Sequence, residues 1–217
     1  MTHVPSVRVA ASIAPILRLG VLAVAGATVV ARDARMDGPM AATEAQVRRA
    51  AERSDVVAAV RTLYKRVGLD PTKVRPSSEA LLRRVRKGEA LPRINSAVDV
   101  CNWCSVETQL PYGLYDLARV EGDVEARLGR TGEAYAGIRK DVVHLEDRLV
   151  LADMAGPFGN PTSDSARTMV TDGTTGLLFV VFCPTPLGEA ALEAALALTE
   201  ERAVAFTGGR PCLRVLR

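Results

Sequence analysis

The sequence predicts an α+β fold in which helices pack against a mainly antiparallel sheet, and three observations carry that reading. Helical periodicity dominates residues 43 to 108, short β-like runs separated by Gly and Asp follow Leu110, and an Ala/Leu-rich segment from Glu189 to Arg202 has the composition of a closing helix. Helices gathered in one block, rather than alternating with strands, argue against a doubly wound parallel sheet. The chain has 217 residues and 48% hydrophobic content, enough to bury a substantial core. A single domain over residues 1–217 is expected, with residues 1–10 and 206–217 peripheral.

The first element is the apolar run Leu19 to Ala31, closed by Arg32 and Asp33. It is too short to span a bilayer, and Val21, Val24, Val29 and Val30 suit a buried strand better than a signal core, so no membrane contact is expected. Thr43-Glu44-Ala45-Gln46 has the spacing of a capping box. The amphipathic pattern then runs through Val47, Val56, Val60 and Leu63 to Gly68, predicting one long helix. Gly68-Leu69-Asp70-Pro71 ends it, because Pro cannot continue the helical bonding. A second helix is expected over Ser77 to Lys87, stopping at Gly88, and a third over Leu91 to Thr108. Strands are expected at Val124–Leu128, Val142–Leu145, Leu149–Ala152 and Leu177–Phe182. Residues 156 to 161 read as a sharp loop, and Asp172-Gly173 as a turn before the strongest strand.

The third helix carries the most informative pattern. It is apolar on most of its circumference, yet Asn95, Asp99 and Asn102 fall on one face at i, i+4, i+7. Buried polar side chains need partners, so this stripe points to an organised interior or a ligand pocket. The competing reading has Asn95 capping the helix, Asp99 paired with a neighbouring Arg and Asn102 satisfying a loop carbonyl. The segment from Asn160 to Thr168 concentrates hydroxyls, a carboxylate and a guanidinium, which suits either the rim of a polar ligand site or an exposed linker. Thr174 and Thr175 could project hydroxyls toward the same space.

Other chemistry is sparse. The net charge is only +3, but between Arg61 and Arg93 ten Lys or Arg residues stand against Asp70, Glu79 and Glu89. That surplus suits a phosphate backbone, with Arg83, Arg84, Arg86 and Lys87 as candidates, or the solvated face of two helices. Four Cys at 101, 104, 183 and 212 do not form a secreted disulfide framework, and a cytoplasmic location is expected. The Cys101-Asn102-Trp103-Cys104 spacing lies inside a helix rather than at a helix N-terminus, so core thiols are favoured over redox or zinc chemistry. His144 would have to be any general base, since His3 is the only other histidine, and ordinary strand packing competes with that role. No Gly-x-Ser-x-Gly, Walker A or Gly-x-Gly-x-x-Gly motif is present, and no cofactor or metal is expected.

An ordered set of motifs resembles the editing module of bacterial phenylalanyl-tRNA synthetase, formed by the third and fourth domains of its β subunit. The set is Gly68-Leu-Asp-Pro71, Arg75-Pro-Ser-Ser-Glu-Ala-Leu-Leu-Arg-Arg84, Leu91-Pro-Arg-Ile-Asn95, Val98-Asp99 with Asn102, Leu110-Pro111 with Tyr115-Asp116-Leu117, and Ala155-Gly156 with Gly159 before Thr174-Thr175. The resemblance implies an α+β fold whose pocket accepts the misacylated 3′ end of tRNA and hydrolyses the ester by positioning a water, without a covalent nucleophile. Here it implies a free-standing protein binding an aminoacyl group through Asn95, Asp99, Asn102, Gly113, Gly156, Gly159, Asn160, Thr174 and Thr175, and acting on misacylated tRNA in trans. Two positions depart from the pattern: Gly113 stands where the synthetase has His, and Val180 where it has Glu. Tyrosine specificity is therefore not implied. The alternative is an accessory protein that keeps the pocket and holds an amino-acid-derived intermediate for a partner enzyme in specialised metabolism.

Overall fold

The computed structural model describes residues 3–50, 53–139 and 141–217. In chain order its regular elements are β1 (Val7–Val9), β2 (Leu17–Ala25), α1 (Asp37–Arg49), α2 (Ser54–Arg66), α3 (Ser77–Arg86), α4 (Ser96–Thr108), β3 (Tyr112–Asp116), β4 (Val124–Leu128), β5 (Ala134–Ala136), β6 (Val142–His144), β7 (Leu149–Asp153), β8 (Gly156–Gly159), β9 (Gly176–Pro184), α5 (Gly188–Thr207) and β10 (Arg210–Leu216). The α+β class follows from their arrangement in layers. An antiparallel sheet of order β10-β2-β9-β3 lies at the centre, and a second sheet of order β1-β4-β7-β8 and a small β5-β6 hairpin accompany it.

The two faces of the central sheet serve different cores. Leu22, Val24, Leu177, Phe179 and Val181 point to the helices, where they meet Val100, Cys104, Leu192 and Leu196. Their alternating neighbours, Leu19, Val21, Ala23, Leu178, Val180 and Phe182, point to Val124, Ala126, Leu149 and Leu151 of the second sheet. Every residue of β9 is buried, which is why its sequence is a continuous apolar run rather than an alternation.

Several local expectations are corrected. The long helix from residue 43 is two helices, α1 and α2, with Ala50 extended between them. Val47 and Val56 are nine residues apart, so on one continuous helix they would face about 180° apart at 3.6 residues per turn. A break lets both face the core. Thr43 and Glu44 do not cap a helix. They lie within α1 and tie it to neighbours, Thr43 Oγ1 accepting from Trp103 Nε1 (2.8 Å) and Glu44 Oε1 from the Leu91 N–H (2.8 Å). The third helix begins at Ser96, since Leu91 precedes Pro92 and is held out of the helical region. Residues 156–159, expected as loop, form the edge strand β8, and its edge position tolerates the missing N–H of Pro157. Both chain ends expected to be peripheral supply edge strands: β1 pairs with β4, and β10 with β2 through a bulge at Cys212.

Candidate functional site

The polar stripe resolves into three different roles. Asn95 is extended (φ −161°) and caps α4, its Oδ1 accepting from the Val98 N–H at 2.9 Å. Asp99 is wholly buried and accepts from Arg93 Nε (2.6 Å) and the Ile94 N–H (2.8 Å). Arg93 continues to the Asp37 carboxylate (2.5 Å) and the Asp33 carbonyl (3.2 Å), so this network locks the entry of α4 onto the start of α1. Asn95 and Asp99 therefore do not converge with Asn102 on one cavity. Asn102 is half-buried, makes no hydrogen bond among the described residues, and lines a cavity of about 290 Å³.

That cavity lies between α4, the edge of β3 and two loops. Val98, Cys101, Tyr112, Leu114 and Val170 give it apolar walls, while Ile94 and Met169 are exposed apolar side chains on its lining. Its polar groups are Asn102, Ser77 at the start of α3, Arg139 and Asp164. The Ser77 Oγ is buried and has no hydrogen-bond partner among the described residues. Burial pushes the Cys101 thiol well above the usual thiol range, so it does not present a thiolate to the cavity.

Gly113 and Gly159 act behind this cavity, on the second-sheet side of β3. A Cβ at either position would overlap the Tyr115 hydroxyl, and would lie 2.6 Å or 2.5 Å respectively from its Cζ. The phenol thus occupies a slot that only glycines leave open. Its hydroxyl donates to Asp164 Oδ1 at 2.8 Å, and its ring packs edge-on against Phe158 at 4.8 Å between centroids. Burial, reinforced by the Asp164 charge, holds the Tyr115 phenol far above its ordinary pKa, so it stays a donor and fixes the carboxylate. Val180 is the direct cross-strand partner of Gly113, and it too faces the inter-sheet core.

The remaining expected site residues are dispersed. Asn160 is buried and shapes its own loop, donating to Tyr135 Oη (2.9 Å) and accepting from the Thr162 and Ser163 N–H groups (2.8 Å each). Thr174 is buried, donates to Asp116 Oδ2 (2.8 Å) and accepts from the Thr171 N–H (3.0 Å); Thr175 is exposed. Gly156 borders a separate charged groove with Asp123, Arg127 and Glu133. From the 160–168 segment, Asp164 lines the cavity, while Arg167 is paired with Asp153 at 2.8 Å. Ser77, Ile138 and Arg139 were not anticipated. Ser77 falls within the Arg75–Arg84 run quoted for the resemblance but was not assigned to the site, and Ile138 and Arg139 carry no local motif, because the chain returns to α4 only through tertiary folding.

Of the basic candidates, Arg84 is paired with Glu89 (3.1 Å) and the Ala90 carbonyl (2.6 Å). Arg83 and Lys87 are exposed without an ion pair among the described residues, and Arg86 is half-buried. Upstream, Arg61 grips Glu79 through two bonds (2.6 and 2.9 Å), an acid already counted against the basic surplus. His144 is exposed on β6. Among the described residues no group of three or more His, Cys, Asp or Glu is placed to hold a metal ion, and no helix is long and apolar enough to cross a membrane.

Known proteins fit this geometry. The phenylalanine–tRNA ligase beta subunit of Paramagnetospirillum magneticum is 33% identical over 90 residues, covering 36% of this chain and 11% of that protein. Its counterpart in Idiomarina loihiensis is 32% identical over 103 residues, covering 44% of this chain and 13% of that protein. The chain thus spans little more than a tenth of these relatives. An N-terminal fragment of the phenylalanyl-tRNA synthetase beta subunit from Pyrococcus horikoshii superposes on 99% of this chain and 55% of its own, with a TM-score of 0.51 and 14% identity, a likeness of fold. The family model described as "B3/4 domain" matches residues 59–207, which include α3, α4, the strands β3 to β9 and all of α5, and on that match the chain belongs to the B3/4 domain family.

Proposed function

We propose that the cavity beside α4 recognises an amino-acid-like group, and that the chain uses it to hydrolyse misacylated aminoacyl-tRNA in trans. The observation that carries this reading is the cavity itself. At about 290 Å³ it sits at the small end of ligand pockets, with apolar walls for a side chain and a few polar groups to orient the backbone atoms. Its relatives by sequence are beta subunits of phenylalanine–tRNA ligase, which supports a tRNA-linked substrate. Among the described residues no activated nucleophile lines the cavity, so hydrolysis here rests on holding the ester and a water in register and on hydrogen bonds to the developing oxyanion. Asn102 is the amide available for that contact. Arg83, Arg84, Arg86 and Lys87 lie toward the other end of α3, about 9 to 15 Å from Ser77 at 1.5 Å per residue, where a tRNA backbone could be met.

A second reading has its own support. Tyr115 fills the space beside Gly113, and neither Gly113 nor Val180 offers an imidazole or carboxylate, which favours an accessory protein holding an amino-acid-derived intermediate for a partner enzyme. Incubation with a panel of mischarged tRNAs separates the two. Deacylation above the spontaneous rate that falls in Asn102→Ala supports hydrolysis. Absent deacylation with thermal stabilisation by a small amino acid supports the accessory role. Absence of both discards the cavity as an aminoacyl site.

A further inference from the structure

We infer that the α4 cavity selects aminoacyl groups whose side chains carry no hydrogen-bonding atom, so that its substrates are esters of apolar amino acids; this deepens the aminoacyl reading of the cavity and rests on it. The lining residues divide by depth. Tyr112 (5% exposed), Val170 (7%), Cys101 (8%) and Leu114 (8%) form the floor, whereas Ile94 (44%) and Met169 (37%) mark the mouth. Arg139 is exposed and Asn102 half-buried, so the groups able to meet the polar ester end stand nearer the mouth. A side chain entering ahead of its ester therefore meets the floor.

The polar atoms beside that floor are committed elsewhere. The Tyr112 hydroxyl turns to α5, 3.4 Å from the Ala195 carbonyl and 3.2 Å from Thr199 Oγ1, and neither of those residues lines the cavity. Tyr112 thus offers the ligand its ring. Cys101 is a neutral thiol, weak both as donor and as acceptor. Asp164 Oδ1 accepts from the Tyr115 hydroxyl at 2.8 Å, and the Ser77 Oγ is buried too deeply to meet a ligand. A hydroxyl or amide carried to the floor would leave water and find no open partner, which disfavours it against an apolar group of the same shape. The selectivity does not lie at Gly113 and Val180. These face the inter-sheet core, where the Tyr115 phenol fills the space beside Gly113, whereas Tyr112 and Leu114 occupy the opposite face of β3.

Calorimetric titration of the full chain with amide-linked aminoacyl-adenosine analogues tests this, using pairs that match in shape and differ in polarity. Valyl against threonyl and leucyl against asparaginyl are near-isosteric, and tyrosyl adds one hydroxyl to phenylalanyl. The apolar member of each pair should bind about 10- to 100-fold tighter, the range an apolar pocket achieves against a polar isostere. Val170→Thr, or Cys101→Ser should that variant not fold, places a hydroxyl at the floor and should narrow the valyl–threonyl ratio to within about 5-fold. Val180→Thr makes the same change on the inter-sheet face and should leave the ratio as it is. Threonyl, asparaginyl and tyrosyl analogues that bind as well as their partners overturn the selectivity and leave the receptor reading intact. A preference for tyrosyl over phenylalanyl overturns it too, by showing Asp164 to be an open acceptor. A ratio that moves in Val180→Thr and not at the floor refutes the assignment of the selectivity to this cavity. Failure of every analogue to bind overturns the receptor reading itself.

Discussion

Replacing Gly113 by Ala tests how the site is built. The new Cβ would overlap the Tyr115 hydroxyl and lie 2.6 Å from its Cζ, and Gly159 closes the other side of the ring, so the phenol has no free direction of retreat. Two costs follow. Overpacking a filled core costs about 1–3 kcal/mol, and displacing the phenol from Asp164 leaves a hydrogen bond unmade at a further cost of about 1–3 kcal/mol. The expected loss is therefore about 2–6 kcal/mol, read as a lowered urea midpoint with an unchanged m-value. Tyr115→Leu removes the obstruction, so Gly113→Ala should cost less in that background, and the double-mutant cycle should show coupling above about 1 kcal/mol. The same geometry explains why the His of the synthetase pattern cannot stand at position 113 while Tyr115 keeps this position. A Gly113→Ala protein within about 0.5 kcal/mol of the parent, with no coupling to Tyr115, would refute the slot.

Three other outcomes follow from the network and the thiols. Asp99→Asn breaks a buried ion pair and should destabilise by about 3 kcal/mol, and Asn95→Ala by about 1 kcal/mol, both in urea titrations; lost ligand binding with unchanged stability would mean these residues serve the cavity after all. Arg61 holds the Glu79 carboxyl below its ordinary value of 4.5, and Arg127 does the same for Glu133. Depressed folded-state values stabilise above about pH 4.5 and lose that contribution as pH falls through them, so Glu79→Gln with Glu133→Gln should flatten the acid limb of a stability–pH curve. Burial pushes Cys104 and Cys183 up to about 11 and Cys101 well above the usual thiol range, while Cys212 is exposed. Iodoacetamide at pH 8 should label Cys212 alone in the native protein and all four thiols in urea, with mass spectrometry as the readout.

Much of the fold was legible because local and tertiary preferences agree. The β-branched runs that became β2, β4, β7 and β9, and the Ser77 helix ending before Gly88, carry their own signals. The edge strands did not. Arg210–Leu216 mixes Pro, Cys and Arg with only partly buried apolar positions, and Gly156–Gly159 has turn composition, because edge strands tolerate what central strands exclude. The helix break near Ala50 could have been read from the half-turn phase shift between Val47 and Val56.

For the site, the spacing of Asn95, Asp99 and Asn102 admitted either a ligand stripe or a cap with an ion pair, and Asn95 and Asp99 take the second form. Asn102 and Asp164 fell within segments whose composition was informative. Ser77 and Arg139 reach the cavity only through the packing of α3 and of the loop after β5 against α4, which no local pattern encodes.

The central claim is that an aminoacyl group sits in the cavity beside α4. It is tested most directly by a crystal structure of the protein soaked with an amide-linked leucyl-adenosine analogue that cannot be hydrolysed. The account predicts the leucyl moiety between Val98, Leu114 and Val170, within hydrogen-bond distance of Asn102. Density for the analogue elsewhere, with that cavity holding only water, would contradict it.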